Sequence, residues 1–445
     1  MMSPAQSGPQ RSELGQAPWT GTAKASPERA TAAPLPAGGT ERRLLLVAPT
    51  DYDSSVAKGV SSLLHDFDEQ GYFAKVVMVF PYTSADRVVT LSDRLVIHEF
   101  GLGGAPAGDR PALLRKVVRK LAGPAHVMRV ARAIAELAQA EKVTLIRATD
   151  PCLSGLVAML AARRARKPFC VSIHADFDKR HELDPVNGAP RLFGSRRLAT
   201  FVDGLVLRRA DMILPIRDSL IAYAERRGAA RERMQVIPHG ADLSEFVKPA
   251  PPEALSALDL PAGRRIVSFI GRLSPENYIA DVLAVGRRLA RTRNDAVLVI
   301  AGGGGEQHAI EAVLAADAPL ASTVRFVGFQ PRGVVAALRQ ASSVALCPMG
   351  GFSLIEACAA GAPAVAYDAE WHRELVIDGE TGYLVRERDV DGLAHAVEQL
   401  LDTPEAAKRM GTRARELAIS RHSLATSVAR KRQVYDMLID KRGGV

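Results

Sequence analysis

Short runs rich in Val, Ile and Leu alternate with helix-length segments along nearly the whole chain after residue 42, and no other feature narrows the fold as far. A strand buried on both faces has no polar side to present, so it reads as a continuous apolar run, and a parallel neighbour then requires a helical crossover. The pattern predicts an α/β fold of parallel sheets covered by helices. Strands are expected at 43–48, 74–80, 143–147, 169–174, 212–214 and 234–237, with helices such as 154–164 and 218–226 between them. Lys248, Pro249, Pro251, Pro252 and Pro261 then interrupt the rhythm as a linker would. A second series follows, with strands at 265–270, 296–301, 324–327, 344–347 and 364–367.

Two series suit a chain of 445 residues, which is more than one hydrophobic core usually organises. The expected arrangement is two doubly wound, Rossmann-like domains at 42–247 and 262–421 facing a central cleft, with a helix at 422–445 free to pack back on the first. Such sheets bind ligands at the carboxyl ends of their strands. Residues 1–41 are rich in Ala, Pro, Gly, Ser and Thr without apolar periodicity and are read as a disordered tail. Residues 1–23 lack the apolar core of a secretory signal, and no run reaches the roughly 18 apolar residues of a membrane span. Cys152, Cys170, Cys347 and Cys358 show no CxxC spacing and sit in apolar stretches, so buried thiols in a reducing cytosol are the expectation.

A net charge of +9 and a pI near 9.5 point to an anionic partner without choosing it. Basic residues crowd at 110–132, where Arg110, Arg115, Lys116, Arg119, Lys120, Arg129 and Arg132 meet no acidic residue, and Leu113, Leu114, Val117, Val118 and Leu121 recur at helical spacing. Such a helix either rests peripherally on an anionic membrane, each basic residue contributing about 1 kcal/mol near the surface, or packs on the core with its basic face in water. The lack of interleaved aromatic residues argues against nucleic acid.

The second half holds most of the chemistry-bearing residues. The expected strand 265–270 runs into Gly271 and Arg272, whose guanidinium can fork two hydrogen bonds to a diphosphate or form a surface salt bridge. Gly302, Gly303, Gly304 and Gly305 close the next strand before a helix starting near Glu306, which sets bare amides beside a helix N-terminus, either as an anion site or for tight packing. Pro348, Met349, Gly350 and Gly351 then lead into a helix at 352–360 that contains Glu356, a carboxylate placed to accept ribose hydroxyls or to stay solvated. Tyr367, Asp368, Glu370, Trp371 and His372 form either a catalytic Asp and His or a cap in which Asp368 accepts backbone amides. His174, at the end of the expected strand 169–174, reads on its own as a satisfied core histidine. No residues have metal-site spacing.

Taken in order, Gly271-Arg272-Leu273-Ser274-Pro275-Glu276, Ile300-Ala301 with the four glycines, Val324-Arg325-Phe326-Val327-Gly328-Phe329, Ser353-Leu354-Ile355-Glu356-Ala357 with Gly361-Ala362-Pro363, and Asp378-Gly379-Glu380-Thr381-Gly382-Tyr383-Leu384-Val385 resemble the C-terminal domain of the retaining GT-B glycosyltransferases called group 1. Val171-Ser172-Ile173-His174 and Val236-Ile237-Pro238-His239-Gly240-Ala241-Asp242, followed by Phe246, are similar to the family's first half. The resemblance implies a nucleotide-sugar donor, UDP- or GDP-linked, on the C-terminal domain and a saccharide or lipid-linked acceptor on the N-terminal one, with no cofactor and no metal. It assigns Arg272 to the diphosphate, Glu356 to the ribose and His174 to a donor-sugar hydroxyl, with His174 and Arg272 as the catalytic pair. Asn277, Gly303, Gly304 and the backbone at Phe352, Ser353 and Leu354 would complete the donor site.

Three departures stand against the family's pattern. Asn277 replaces a lysine that also grips the diphosphate, Pro348 stands where many members place a first glutamate, and 49–55 lacks the usual Gly-Gly turn. A lost cation beside a diphosphate predicts weaker donor binding or slower turnover. Two classes of function follow: a hexosyltransferase of polysaccharide or glycolipid assembly at the cytoplasmic membrane face, and a catalytically weakened GT-B protein acting as a sugar-nucleotide or membrane-binding partner subunit. A nicotinamide dehydrogenase would need GxGxxG after the first strand, which 50–59 does not supply.

Overall fold

The computed structural model of the protein describes residues 41–57, 64, 67, 69–101, 112–183, 189–192 and 194–443, with the side chains of all of these except 112–122, 183, 252, 442 and 443. The stretch expected to be a disordered tail, 1–41, lies outside them apart from its last residue.

The first sheet contains β1 (Arg43–Val47), β2 (Lys75–Thr83), β3 (Arg87–Ser92), β4 (Leu95–Gly101), β5 (Leu145–Ala148), β6 (Phe169–Ile173) and β7 (Met212–Pro215), in the order β3-β4-β2-β1-β5-β6-β7. The second contains β8 (Arg265–Ile270), β9 (Ala296–Ala301), β10 (Val324–Gly328), β11 (Ser342–Leu346), β12 (Ala364–Tyr367) and β13 (Gly382–Val385), in the order β10-β9-β8-β11-β12-β13. Every pairing is parallel except β3 with β4. The α/β expectation therefore holds, with two Rossmann-like sheets. Each sheet grows first in one direction and then in the other, so strand order reverses between β1 and β5 and again between β8 and β11. Those reversals open crevices at the carboxyl ends of the strands.

Three strands were not anticipated. β3 is an edge strand with mostly exposed side chains, so it has no apolar run to read; β4 buries alternate residues, a period-two pattern that a search for continuous runs passes over; β13 is only four residues long. Conversely, 234–237 is not a strand. It lies extended beside β7 with Gln235 N–H donating to Ile213 O and Ile237 N–H to Pro215 O, and its pairing stops where β7 ends at Pro215 and the segment itself reaches Pro238.

Burial explains why the runs are apolar. β9 is buried at all six positions, sandwiched between helices on both faces. In the helix Ala112–Ala140, Val127, Val130, Ile134 and Ala138 recur at intervals of three and four and enter the core of the first sheet. The helix Pro404–His422 belongs to the second sheet, whereas the following helix, Leu424–Gly443, buries Val434, Tyr435 and Leu438 against Leu44, Leu46, Phe73 and Met78 of the first. A buried polar network fixes that crossing. Arg147 on β5 donates to Tyr435 Oη at 2.7 Å and to Ser172 Oγ at 3.0 Å, and Glu69 takes both Arg147 at 3.4 Å and Lys431 at 3.0 Å.

The carboxyl ends of the two sheets approach one another. Arg217, just after β7, pairs with Glu370 beyond β12 at 2.8 Å, and Ser219 N–H donates to Glu374 at 3.2 Å. Arg421 closes the set on Asp218 at 2.6 Å and Glu374 at 3.4 Å. Among the described residues no helix is long and apolar enough to cross a membrane.

Candidate functional site

A cavity of about 510 Å³ opens at the reversal between β8 and β11. Its walls are the end of β8 from Phe269 to Arg272, the turn residues Ser274, Glu276 and Asn277, and the end of β11 at Leu346 and Cys347. Met349, Gly351 and the first residues of the helix Phe352–Ala359 close the other side. The first turn of that helix borders the space, and a helix N-terminus, with its spare N–H groups and the positive end of its dipole, is a setting suited to an anion.

Arg272 is exposed on this wall, and among the described residues its guanidinium has no hydrogen-bond or salt-bridge partner. Asn277 lines the cavity too, but its amide is turned back into the loop, donating to Arg272 O at 2.9 Å and to Ser274 Oγ at 3.4 Å. It holds the loop that presents Arg272. Phe352 stands 54% exposed at the mouth, and Ser353 Oγ donates to Ile270 O, tying the helix to the end of β8.

Other expected site residues stand elsewhere. Leu354 is fully buried and its amide already donates to Gly351 O at 3.2 Å. The glycine run does not line the cavity but buttresses it from behind: Gly303 O accepts from Leu273 N–H at 3.0 Å, and the bare Cα positions of Gly302 and Gly304 let the run lie against Gly271 and Leu273. Glu356 is not in the lining either. Its carboxylate sits between Arg332 at 3.5 Å and Arg339 at 3.4 Å. His174 directly follows β6 on the other sheet, where its Nδ1 lies 3.4 Å from Nε2 of His239 and the two rings stack. Solvent reaches both residues, yet the surrounding protein crowds their rings and holds both imidazoles below the ordinary histidine range, with His239 adding to the effect at His174.

The cluster after β12 answers to neither sequence reading. Asp368 pairs with the Arg373 guanidinium instead of capping backbone amides, and His372 turns fully inward. His372 Nδ1–H donates to Tyr367 O at 2.7 Å, while Nε2 lies 3.0 Å from Gly350 N and 3.2 Å from Gly350 O; in the neutral ring Nε2 accepts from Gly350 N–H and holds the turn that floors the cavity. Burial lowers its pKa, which favours this neutral form. The sign follows directly: the stability it contributes is full above about pH 6.5, where the unfolded histidine is also neutral, and is lost as the pH falls through the depressed folded value. Between pH 7 and pH 5 the unfolding free energy of the wild type should fall more steeply than that of His372→Gln, by up to about 1.4 kcal/mol per pH unit. Parallel pH slopes in denaturant titrations of the two proteins would remove this role.

The thiols need no function: Cys170, Cys347 and Cys358 are buried and Cys152 partly so, and burial pushes Cys347 up to about 11. Nothing in the sequence marked Arg339 as a neighbour of the site, whereas His239 stood only within a quoted motif and His372 only as a catalytic or cap candidate. Tertiary packing gives each its place: His239 against His174, Arg339 against Ser353 and His372 against Gly350.

Comparison with known proteins bears on the family and the fold. The family model for glycosyl transferases group 1 matches residues 252–417, and that for the glycosyl transferase 4-like domain matches 56–240. Glycogen synthase of Mycobacterium tuberculosis is 31% identical over 281 residues, covering 62% of this chain and 64% of that protein, so the chain spans somewhat under two thirds of the length of such relatives. Among solved structures, sucrose-phosphate synthase from Thermosynechococcus elongatus superposes with a TM-score of 0.62 at 21% identity, covering 90% of this chain and 100% of that one. Anabaena HepE in complex with UDP gives 0.61 at 18% identity, covering 89% and 100%. With the two family matches lying end to end along most of the chain and both sheets in the matching fold, the chain belongs to the group 1 glycosyltransferases of the GT-B class.

Proposed function

We propose that this protein is a retaining glycosyltransferase that moves a hexose from a nucleoside-diphosphate sugar to a saccharide or lipid-linked acceptor in polysaccharide or glycolipid assembly, without a metal. The observation that carries the reading is the pairing of an unpartnered Arg272 with a helix N-terminus across one cavity at the strand-order reversal. A diphosphate fits that pairing because its charge answers both, and the UDP held by the structurally similar HepE supports the choice of ligand. In this reading the leaving diphosphate is stabilised by Arg272, His174 meets the donor sugar from the opposite sheet, and Glu356 exchanges one of its arginines for the ribose. Catalysis is then mostly positioning and stabilisation of charge on the leaving group.

A second reading has its own observation. Asn277 is turned into its loop and Pro348 offers no carboxylate, which favours a weakened protein that binds sugar nucleotide as a partner subunit. Membrane contact through 110–132 belongs to the proposal as well. The side chains of 112–122 lie outside the described ones, and Arg129 is engaged with Asp86 at 2.9 Å.

One experiment separates these readings. UDP-, GDP- and ADP-sugars are screened in chelator for stabilisation and slow hydrolysis, with and without anionic vesicles, and the released sugar's anomer is read by NMR. Hydrolysis of one donor with retained configuration is the expected result. Binding without turnover on any acceptor supports the partner-subunit reading; inversion, a metal requirement or indifference to vesicles removes the corresponding part.

A further inference from the structure

Arg339, on the helix Arg332–Ala341, is 1% exposed. A guanidinium keeps its proton in proteins, so a full positive charge has been taken out of water at this point. Its neighbours answer only part of it. One Nη2 contact goes to Ser353 Oγ at 2.9 Å and another to Glu356 Oε2 at 3.4 Å, while the other oxygen of Glu356 faces Arg332 at 3.5 Å. Its Nε has no hydrogen-bond partner among the described residues. Arg339 thus shares its one carboxylate with Arg332, which also meets Glu245 at 3.7 Å, so the buried Arg339 charge is answered only in part where it lies behind Ser353 of the cavity lining. Ser353, which Arg339 holds, lines the cavity and hydrogen-bonds Ile270 O in the opposite wall; Cys347, also in the lining, feels the Arg339 charge directly.

The cavity's other cation is Arg272, and Asn277 adds none. We propose that Arg339 is the second cation of the diphosphate site, acting from behind the lining as a positioning residue: it fixes Ser353 in the first turn of the helix Phe352–Ala359 and adds its charge to that helix's positive end. The assignment rests on the donor reading above. In a site partly shielded from water, a charge set behind the lining acts on a bound diphosphate without touching it, and the helix N-terminus acts in the same sense. The consequence is selective: affinity should depend on Arg339 in proportion to the charge on the ligand and not on its base or ribose.

UDP, GDP and ADP, each with its nucleoside, are titrated calorimetrically into the full-length wild type, Arg339→Met and Arg339→Lys. For the diphosphate that the wild type binds, Arg339→Met should lose at least tenfold in affinity and at most twofold for the matching nucleoside, and Arg339→Lys should recover most of the loss. Ser353→Ala, which cuts the link but leaves the guanidinium in place, should lose about three- to fivefold for the diphosphate alone and covers the case in which Arg339→Met does not fold. Equal losses for diphosphate and nucleoside, or wild-type affinity in both Arg339→Met and Ser353→Ala, would overturn the role of Arg339 and leave the donor reading standing. A wild type that binds none of the three diphosphates would remove the donor reading, and this role with it.

Discussion

Arg272→Ala should slow turnover of the bound donor by about 10²- to 10³-fold while leaving the unfolding free energy within about 0.5 kcal/mol of wild type. The two halves of that expectation come from the same observation. The side chain is exposed on the cavity wall and has no hydrogen-bond or salt-bridge partner among the described residues, so its removal costs the folded protein only a screened attraction to the exposed Glu276. A group that serves stability would be paired, as Arg293 is with Asp295 at 2.9 Å at the opposite, amino end of the same sheet. If the partner of Arg272 is the departing diphosphate, the guanidinium matters most when the bond to the sugar breaks and negative charge accumulates, which corresponds to about 2.7 to 4 kcal/mol for one well-placed donor. Kinetics on the donor found in the screen, set beside a denaturant titration, make the test. Unchanged turnover, or a fall in stability equal to the fall in activity, would return Arg272 to an ordinary surface residue.

How much of this was legible in the sequence depends on the range of the interactions. The buried parallel strands announced themselves, because β9 and β12 are apolar and buried at every position and β8 at most of its positions, and the residues at their carboxyl ends were found with them. Arg272, Asn277, Phe352 and Ser353 do line the cavity. What the sequence withheld was direction. Asn277 looked like a weakened diphosphate ligand, whereas its amide hydrogen-bonds its own loop; Gly303 and Gly304 looked like an anion cradle, whereas they support the Arg272 segment from behind. Glu356 is placed one turn into the helix as expected, yet it faces two arginines from the helix Arg332–Ala341, the nearer in sequence 17 residues away, a pairing that no local pattern encodes. His372 is the same case across 22 residues.

The glycine run supplies the second large effect, and it tests the buttress directly. Gly302→Ala should destabilise the protein by roughly 2 to 6 kcal/mol, from about 1–3 for a non-glycine residue in a sparsely populated backbone region and about 1–3 for overpacking. At Gly302 φ is +143°, and an added Cβ would stand 1.8 Å from Gly271 O. That neighbour is backbone at the end of β8, so it can yield only by displacing the strand end that carries Arg272. Gly303→Ala is the control, since a Cβ there meets nothing within 4 Å, and it should stay within about 0.5 kcal/mol of wild type. If the run instead cradled phosphate through bare backbone, Gly303→Ala would damage donor binding as much as Gly302→Ala does, with stability little changed in either. Melting curves and donor titrations of the two variants distinguish the cases: a low transition with weak binding in Gly302→Ala and near-normal behaviour in Gly303→Ala means that the glycines serve the fold, and through it the position of Arg272. Transitions that coincide would mean that the close approach to Gly271 constrains nothing.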